Sequence, residues 1–110
     1  MTTQRIVSIY MMTYKRPYYL KTAIESVLRQ TFTDFDLTIL DNQSKDETEV
    51  VAKSFCDNRI KDIEHGGNNF SYAFLINKSK SRYIVVLHDD DVLCETYLEK
   101  MIAVMESNPT

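Results

Sequence analysis

The chain has 110 residues, 44% of them hydrophobic and 26% charged, which bounds it to one folded domain with a real core and excludes a disordered tail. Sixteen acids against thirteen bases leave a net charge of −3, so no basic face offers itself to nucleic acid. The only glycines, Gly66 and Gly67, are adjacent, and that excludes the G-x-G-x-x-G and G-x-x-x-x-G-K-[ST] phosphate loops.

In chain order, short β-branched runs alternate with helical patterns. Ile6-Val7-Ser8-Ile9-Tyr10-Met11-Met12 reads as a first strand, nearly continuous in apolar residues as a central parallel strand is. Pro17 suits a helix start. Leu20, Ala23, Ile24, Val27 and Leu28 then follow the i, i+3, i+4, i+7, i+8 pattern of a helix with one buried face. Phe35-Asp36-Leu37-Thr38-Ile39-Leu40 is the second strand. Ser44-Lys45-Asp46-Glu47 has the form of a capping box before a helix carrying Val50, Val51 and Phe55. Arg59-Ile60-Lys61-Asp62-Ile63 alternates more and is more polar, so it reads as an edge strand. A weaker helical stretch runs from about Phe70 to Ser79. Tyr83-Ile84-Val85-Val86-Leu87 is a fourth, apolar strand. Tyr97, Leu98, Met101, Ile102 and Met105 mark an amphipathic last helix that stops before Pro109. Met11, Met12, Met101 and Met105 read as core filling.

The order βαβαβαβα predicts an α/β fold, Rossmann-like, with a parallel sheet, helices on both faces and right-handed crossovers. The expected strand order is 3-2-1-4. Ligands of such sheets bind at the carboxyl ends of the strands where the winding reverses, here between strands 1 and 4.

The sequence at those ends is polar. Thr13-Tyr14-Lys15-Arg16-Pro17 follows strand 1, Asp41-Asn42-Gln43-Ser44 follows strand 2, and His88-Asp89-Asp90-Asp91 follows strand 4. Without the three aspartates the acids and bases of the whole chain would balance. A helix cap explains one acid of such a run, and three are explained better by a divalent cation. Mg²⁺ or Mn²⁺ takes one or two carboxylates and completes its shell with substrate phosphates and waters. Asp41 reads either as the start of an Asx turn or as an acceptor for a ribose or base. Tyr14 reads as a base-stacking ring or as loop packing, and Lys15 and Arg16 as phosphate contacts or solvated charges. His88 reads as a structural hydrogen-bonded residue in preference to a metal ligand. Cys56 and Cys94 form no C-x-x-C pair and read as free thiols, with Cys94 a buried thiol at a helix start. The run Tyr83 to Leu87 is far too short to span a bilayer, and the first residues do not read as a signal peptide.

These residues carry a resemblance. Val7-Ser8-Ile9 leading to Thr13-Tyr14-Lys15-Arg16-Pro17 is similar to the opening strand and T-Y-N-R-P turn of family 2 glycosyltransferases of the GT-A fold. Ala23 to Phe32 is similar to the family's A-I-x-S-V-L-x-Q-T-[YF] helix. Leu40 to Thr48 is similar to its D-[DN]-x-S-x-D-x-T segment, and Tyr83 to Asp91 resembles the strand leading to its D-x-D-D motif. The resemblance spans essentially all 110 residues.

It implies a nucleotide-sugar donor, commonly a UDP-sugar, a Mg²⁺ or Mn²⁺ ion, and transfer to a saccharide or lipid-linked acceptor hydroxyl in polysaccharide biosynthesis. By position it implies that Thr13, Tyr14 and Arg16 line the nucleotide pocket and that Asp41 binds the base. Asp89 would lie near the ribose, Asp90 would be the principal metal ligand, and Asp91, with Asp89, would support it. The sequence departs from the family at Met12 (usually proline), Lys15 (usually asparagine), and Tyr72 and Ala73 (usually an R-N pair). The first acid of D-x-D-D falls on His88, and the literal Asp89-x-Asp91 match competes with a register centred on Asp90. The resemblance further implies a single donor-binding domain over residues 1–110, cut before the acceptor half that would hold the general base, and therefore inactive alone. A cytoplasmic location, or the cytoplasmic face of a membrane for the full-length protein, is expected. A non-catalytic nucleotide-binding or regulatory α/β module is the alternative.

Overall fold

A computed structural model of the chain describes residues 6–13, 17–41, 48–65 and 81–107. The elements are β1 (Val7–Thr13), α1 (Pro17–Leu28), β2 (Phe35–Asp41), α2 (Thr48–Lys53), β3 (Ile60–His65), β4 (Tyr83–His88) and α3 (Tyr97–Ser107). All strand pairs are parallel, in the order β3-β2-β1-β4. Both the α/β class and the strand order agree with expectation. The capping box Ser44 to Glu47 and the helical stretch Phe70 to Ser79 lie outside the described residues.

Alternation along the strands sorts side chains to two faces. Val7, Ile9 and Met11 of β1, Phe35, Leu37 and Ile39 of β2, and Leu87 of β4 share one buried cluster. Leu20, Ala23, Ile24 and Val27 of α1 and Leu98 of α3 close that cluster, with Val51, Phe55 and Ile102 packed at its margin. The three described helices therefore share one face of the sheet. The other face carries Tyr10 and Leu40 with Met12, Ile84 and Val86. Each fully buried aliphatic side chain contributes about 1.5–3 kcal/mol, and α1 alone brings Leu20, Ile24 and Val27 to zero exposure.

The last helix corrects one expectation. Leu98 and Ile102 face the core, but Met101 is 42% and Met105 47% exposed. Leu98 and Ile102, four apart, make the inward stripe. The two methionines flank it and share an outer strip with the exposed Val104. Of the four methionines read as core filling, Met11 is buried and Met12 half-buried.

The edge strand β3 begins with a bulge. Leu37 pairs with Ile60 and Thr38 with Asp62, so Lys61 is the extra residue. Just before it, Arg59 folds over the Phe35 ring, 4.7 Å from the centroid. The guanidinium also donates to Asp57 at 2.8 and 2.9 Å and to the Leu28 carbonyl at 3.1 Å. The hydrogen bond to Asp57 raises the Arg59 pKa above its usual value, with the Asp57 charge helping and burial opposing. A raised cationic pKa means that the arginine's share of this stabilisation is whole at neutral pH and is lost as the pH rises into strong alkali. An Arg59→Ala chain should lose about 1–3 kcal/mol in urea unfolding with an unchanged slope. No measurable loss would show that the ion pair and ring contact contribute nothing.

Candidate functional site

The carboxyl rim of the sheet holds three buried polar side chains side by side. Thr13 ends β1 and is 3% exposed, Asp41 ends β2 at 1%, and Asp89 follows β4 at 5%. Thr13 and Asp41 are register partners, and Met12 is paired with His88, so β1 delivers Thr13 between the two acids. Thr13 Oγ1 donates to Asp89 Oδ2 at 2.9 Å. Thr13 and Asp41 continue the rows of Val7, Ile9, Met11 and of Phe35, Leu37, Ile39, where an apolar residue would be cheaper to bury.

The other two acids serve a tight turn. Asp91 N–H donates to the His88 carbonyl at 3.0 Å, and His88 N–H donates to Asp91 Oδ2 at 2.8 Å. Asp90 sits at the exposed corner of that turn, and His88 is exposed as well. The acids therefore separate: Asp89 turns inward to Thr13, Asp91 turns back on the strand end, and Asp90 meets solvent. Among the described residues no three carboxylate, imidazole or thiol groups converge on one point as a closed metal cage. An open site suits a hard cation that needs one or two carboxylates and takes phosphate oxygens and waters for the rest. Asp90, with Asp91 beside it, fits that donor chemistry.

Tyr14, Arg16 and the pair Asn42-Gln43 lie outside the described residues. Cys94 is exposed, which corrects the expected burial. The segment after the acids runs over the surface of α1, and its backbone is what α1 grips. The gripping residues are Ser26, 7% exposed, and Gln30, 3% exposed. In the sequence both belong to the Ala23 to Phe32 helix motif, which carries no role for either. The available signal was two polar residues four apart on the otherwise apolar face of Ala23 and Val27.

The chain matches the profile described as Glycosyl transferase family 2 over residues 8–110. The chain belongs to that family. It is 36% identical over 110 residues to an uncharacterized glycosyltransferase of Methanocaldococcus jannaschii, covering 94% of this chain and 38% of that protein. It is 30% identical over 110 residues to the UDP-Glc:alpha-D-GlcNAc-diphosphoundecaprenol beta-1,3-glucosyltransferase WfgD of Escherichia coli, covering 94% and 42% respectively. In fold it is similar to the mannosyltransferase PcManGT of Pyrobaculum calidifontis, solved with GDP-Man and Mn2+. There the TM-score is 0.80 at 14% identity, over 99% of this chain and 34% of that one. This family chain thus spans well under half the length of these relatives. Among its described residues no helix is long and apolar enough to cross a membrane.

Proposed function

We propose that this chain is the donor-binding part of an enzyme that transfers a sugar from a nucleotide-sugar, a UDP-sugar in the first instance, to an acceptor hydroxyl. The observation that carries the reading is the row Asp41, Thr13, Asp89 buried at the carboxyl rim beside an exposed Asp90, where the winding of the sheet reverses. Family membership and the donor named for the Escherichia coli relative support it.

In this reading Asp41 accepts hydrogen bonds from the base, Thr13 and Tyr14 line the nucleotide pocket, and Arg16 meets phosphate. Asp89, oriented by Thr13, accepts from the ribose. Asp90, with Asp91 and Asp89 in support, would hold Mg²⁺ or Mn²⁺. A divalent ion supplies charge neutralisation on a departing diphosphate. The Mn2+ seen with GDP-Man in the Pyrobaculum enzyme supports that cofactor. The acceptor is a saccharide or lipid-linked saccharide, in line with the diphosphoundecaprenol named for the Escherichia coli relative, and the role is polysaccharide biosynthesis. In this reading the role of residues 1–110 is to bind donor and ion, and they transfer nothing alone.

Calorimetric titration of UDP and GDP, with and without Mn²⁺, tests the reading. Mn²⁺ should tighten binding, and Asp90→Ala should remove that gain, a loss of at least about tenfold. Binding that is indifferent to Mn²⁺ in the unaltered chain would defeat the metal assignment. The absence of any nucleotide binding would favour a module with another role.

A further inference from the structure

The segment that follows the acids is held by residues at and just beyond the end of α1. Gln30, just past the helix, uses its whole amide there. Nε2 donates to the Cys94 carbonyl at 2.6 Å and to the Ser26 carbonyl at 3.1 Å, and Oε1 accepts from Leu98 N–H at 2.9 Å. Only this orientation of the amide satisfies both the carbonyls and the N–H. Leu98 N–H belongs to the first turn of α3, where helix donors lack internal partners. Ser26 Oγ accepts from Leu93 N–H at 3.1 Å while donating to the Ala23 carbonyl at 2.7 Å. Thr31 N–H donates to the Glu95 carbonyl at 2.9 Å, and Thr31 Oγ1 lies 3.3 Å from both that oxygen and Glu99 Oε2.

We infer that Ser26, Gln30 and Thr31 form a latch whose task is to preset the turn Asp89–Asp91 for a metal diphosphate, Gln30 being the principal positioning residue. On its upstream side the turn is fixed by His88, paired to Met12 in the sheet. On its downstream side it is fixed by Leu93 and Cys94, held by Ser26 and Gln30. Only Asp89, Asp90, Asp91 and Val92 lie between these anchors. A turn clamped at both ends surrenders little entropy when an ion and a phosphate bind it. Packing alone does not account for the arrangement. An apolar residue at position 30 would fill the same buried space, but it would leave the Leu98 N–H to find another partner and the Cys94 carbonyl with the Tyr97 N–H, at 3.1 Å, in place of two donors. The inference rests on the donor-binding reading above.

The test uses the 110-residue chain, Mn²⁺ and UDP (GDP where UDP does not bind), well below the melting temperature of each variant. Gln30→Met keeps the side-chain volume and removes the amide. It should cut the Mn²⁺-dependent part of the affinity about tenfold or more while leaving binding in EDTA unchanged. Ser26→Ala should act in the same sense, and Ser26→Thr, which restores a hydroxyl, should recover most of the loss. The Ser26 pair keeps the test alive if Gln30→Met does not fold. An unaltered Mn²⁺ gain in Gln30→Met and Ser26→Ala overturns the latch and leaves the donor reading standing. Equal weakening with and without Mn²⁺ also overturns it, because a merely structural residue would do that. No Mn²⁺ gain in the unaltered chain overturns the latch together with the metal site it serves.

Discussion

An Asp89→Ala chain is expected to bind a nucleoside diphosphate at least about tenfold more weakly than the unaltered chain and still to fold. The carboxylate is 5% exposed and accepts a hydrogen bond from Thr13, which is itself 3% exposed. A hydrogen bond to a charged acceptor contributes about 1.5–3 kcal/mol, and about 1.4 kcal/mol corresponds to tenfold in affinity. Folding loses less, because the variant also escapes the cost of burying a carboxylate. Asp89→Asn separates the charge from the shape. It keeps an acceptor for Thr13, so its melting temperature should stay near that of the unaltered chain while its nucleotide affinity still falls. If both variants bind UDP and GDP as the unaltered chain does, Asp89 is a strut between β1 and β4 and has no contact with the donor.

The largest effect on stability is expected at Phe35. It opens β2 in the middle of the main core, has no exposed surface, and lies under the Arg59 guanidinium. Phe35→Ala should cost about 3–5 kcal/mol, the transfer of a ring plus the cavity left behind. For a domain of this size that lowers the melting temperature by roughly 15 °C or more. Against a total stability of about 5–15 kcal/mol, part of the population would be unfolded at 37 °C. Phe35→Leu should recover most of the loss, since the core can repack around a branched side chain. A fall of under about 1 kcal/mol for Phe35→Ala in urea unfolding would mean that the space at the start of β2 collapses without penalty.

The element order was legible in the residues themselves. Strand and helix periodicities are local, so the apolar run from Ile9 to Met12 and the face Leu20, Ala23, Ile24, Val27 each announce their structure without a partner. The strand order 3-2-1-4 agrees with the sheet, although the wholly apolar run Tyr83 to Leu87 forms the terminal strand of the four described and not a central one. The placement of Thr13, Asp41 and Asp89 on one rim followed in turn, because parallel strands bring all their carboxyl ends to one side.

What three dimensions alone decided is which of those polar groups are buried and what holds them. Nothing local distinguishes Asp89 from Asp90. The first becomes an inward acceptor only because Thr13, 76 positions earlier, lies across from it. Gln30 is one member of a helix motif in the sequence, and only in the fold do the Cys94 carbonyl, 64 positions on, and the Leu98 N–H, 68 on, close around its amide. Met101 and Met105 carry the pattern of an inward face, yet Leu98 and Ile102 took the core side. The net charge of −3 located the acids in the sequence. Their separation into a buried carboxylate, an exposed one and a turn-closing one came from hydrogen bonds, one to a group 76 positions away and two within the turn, and periodicity does not record such bonds.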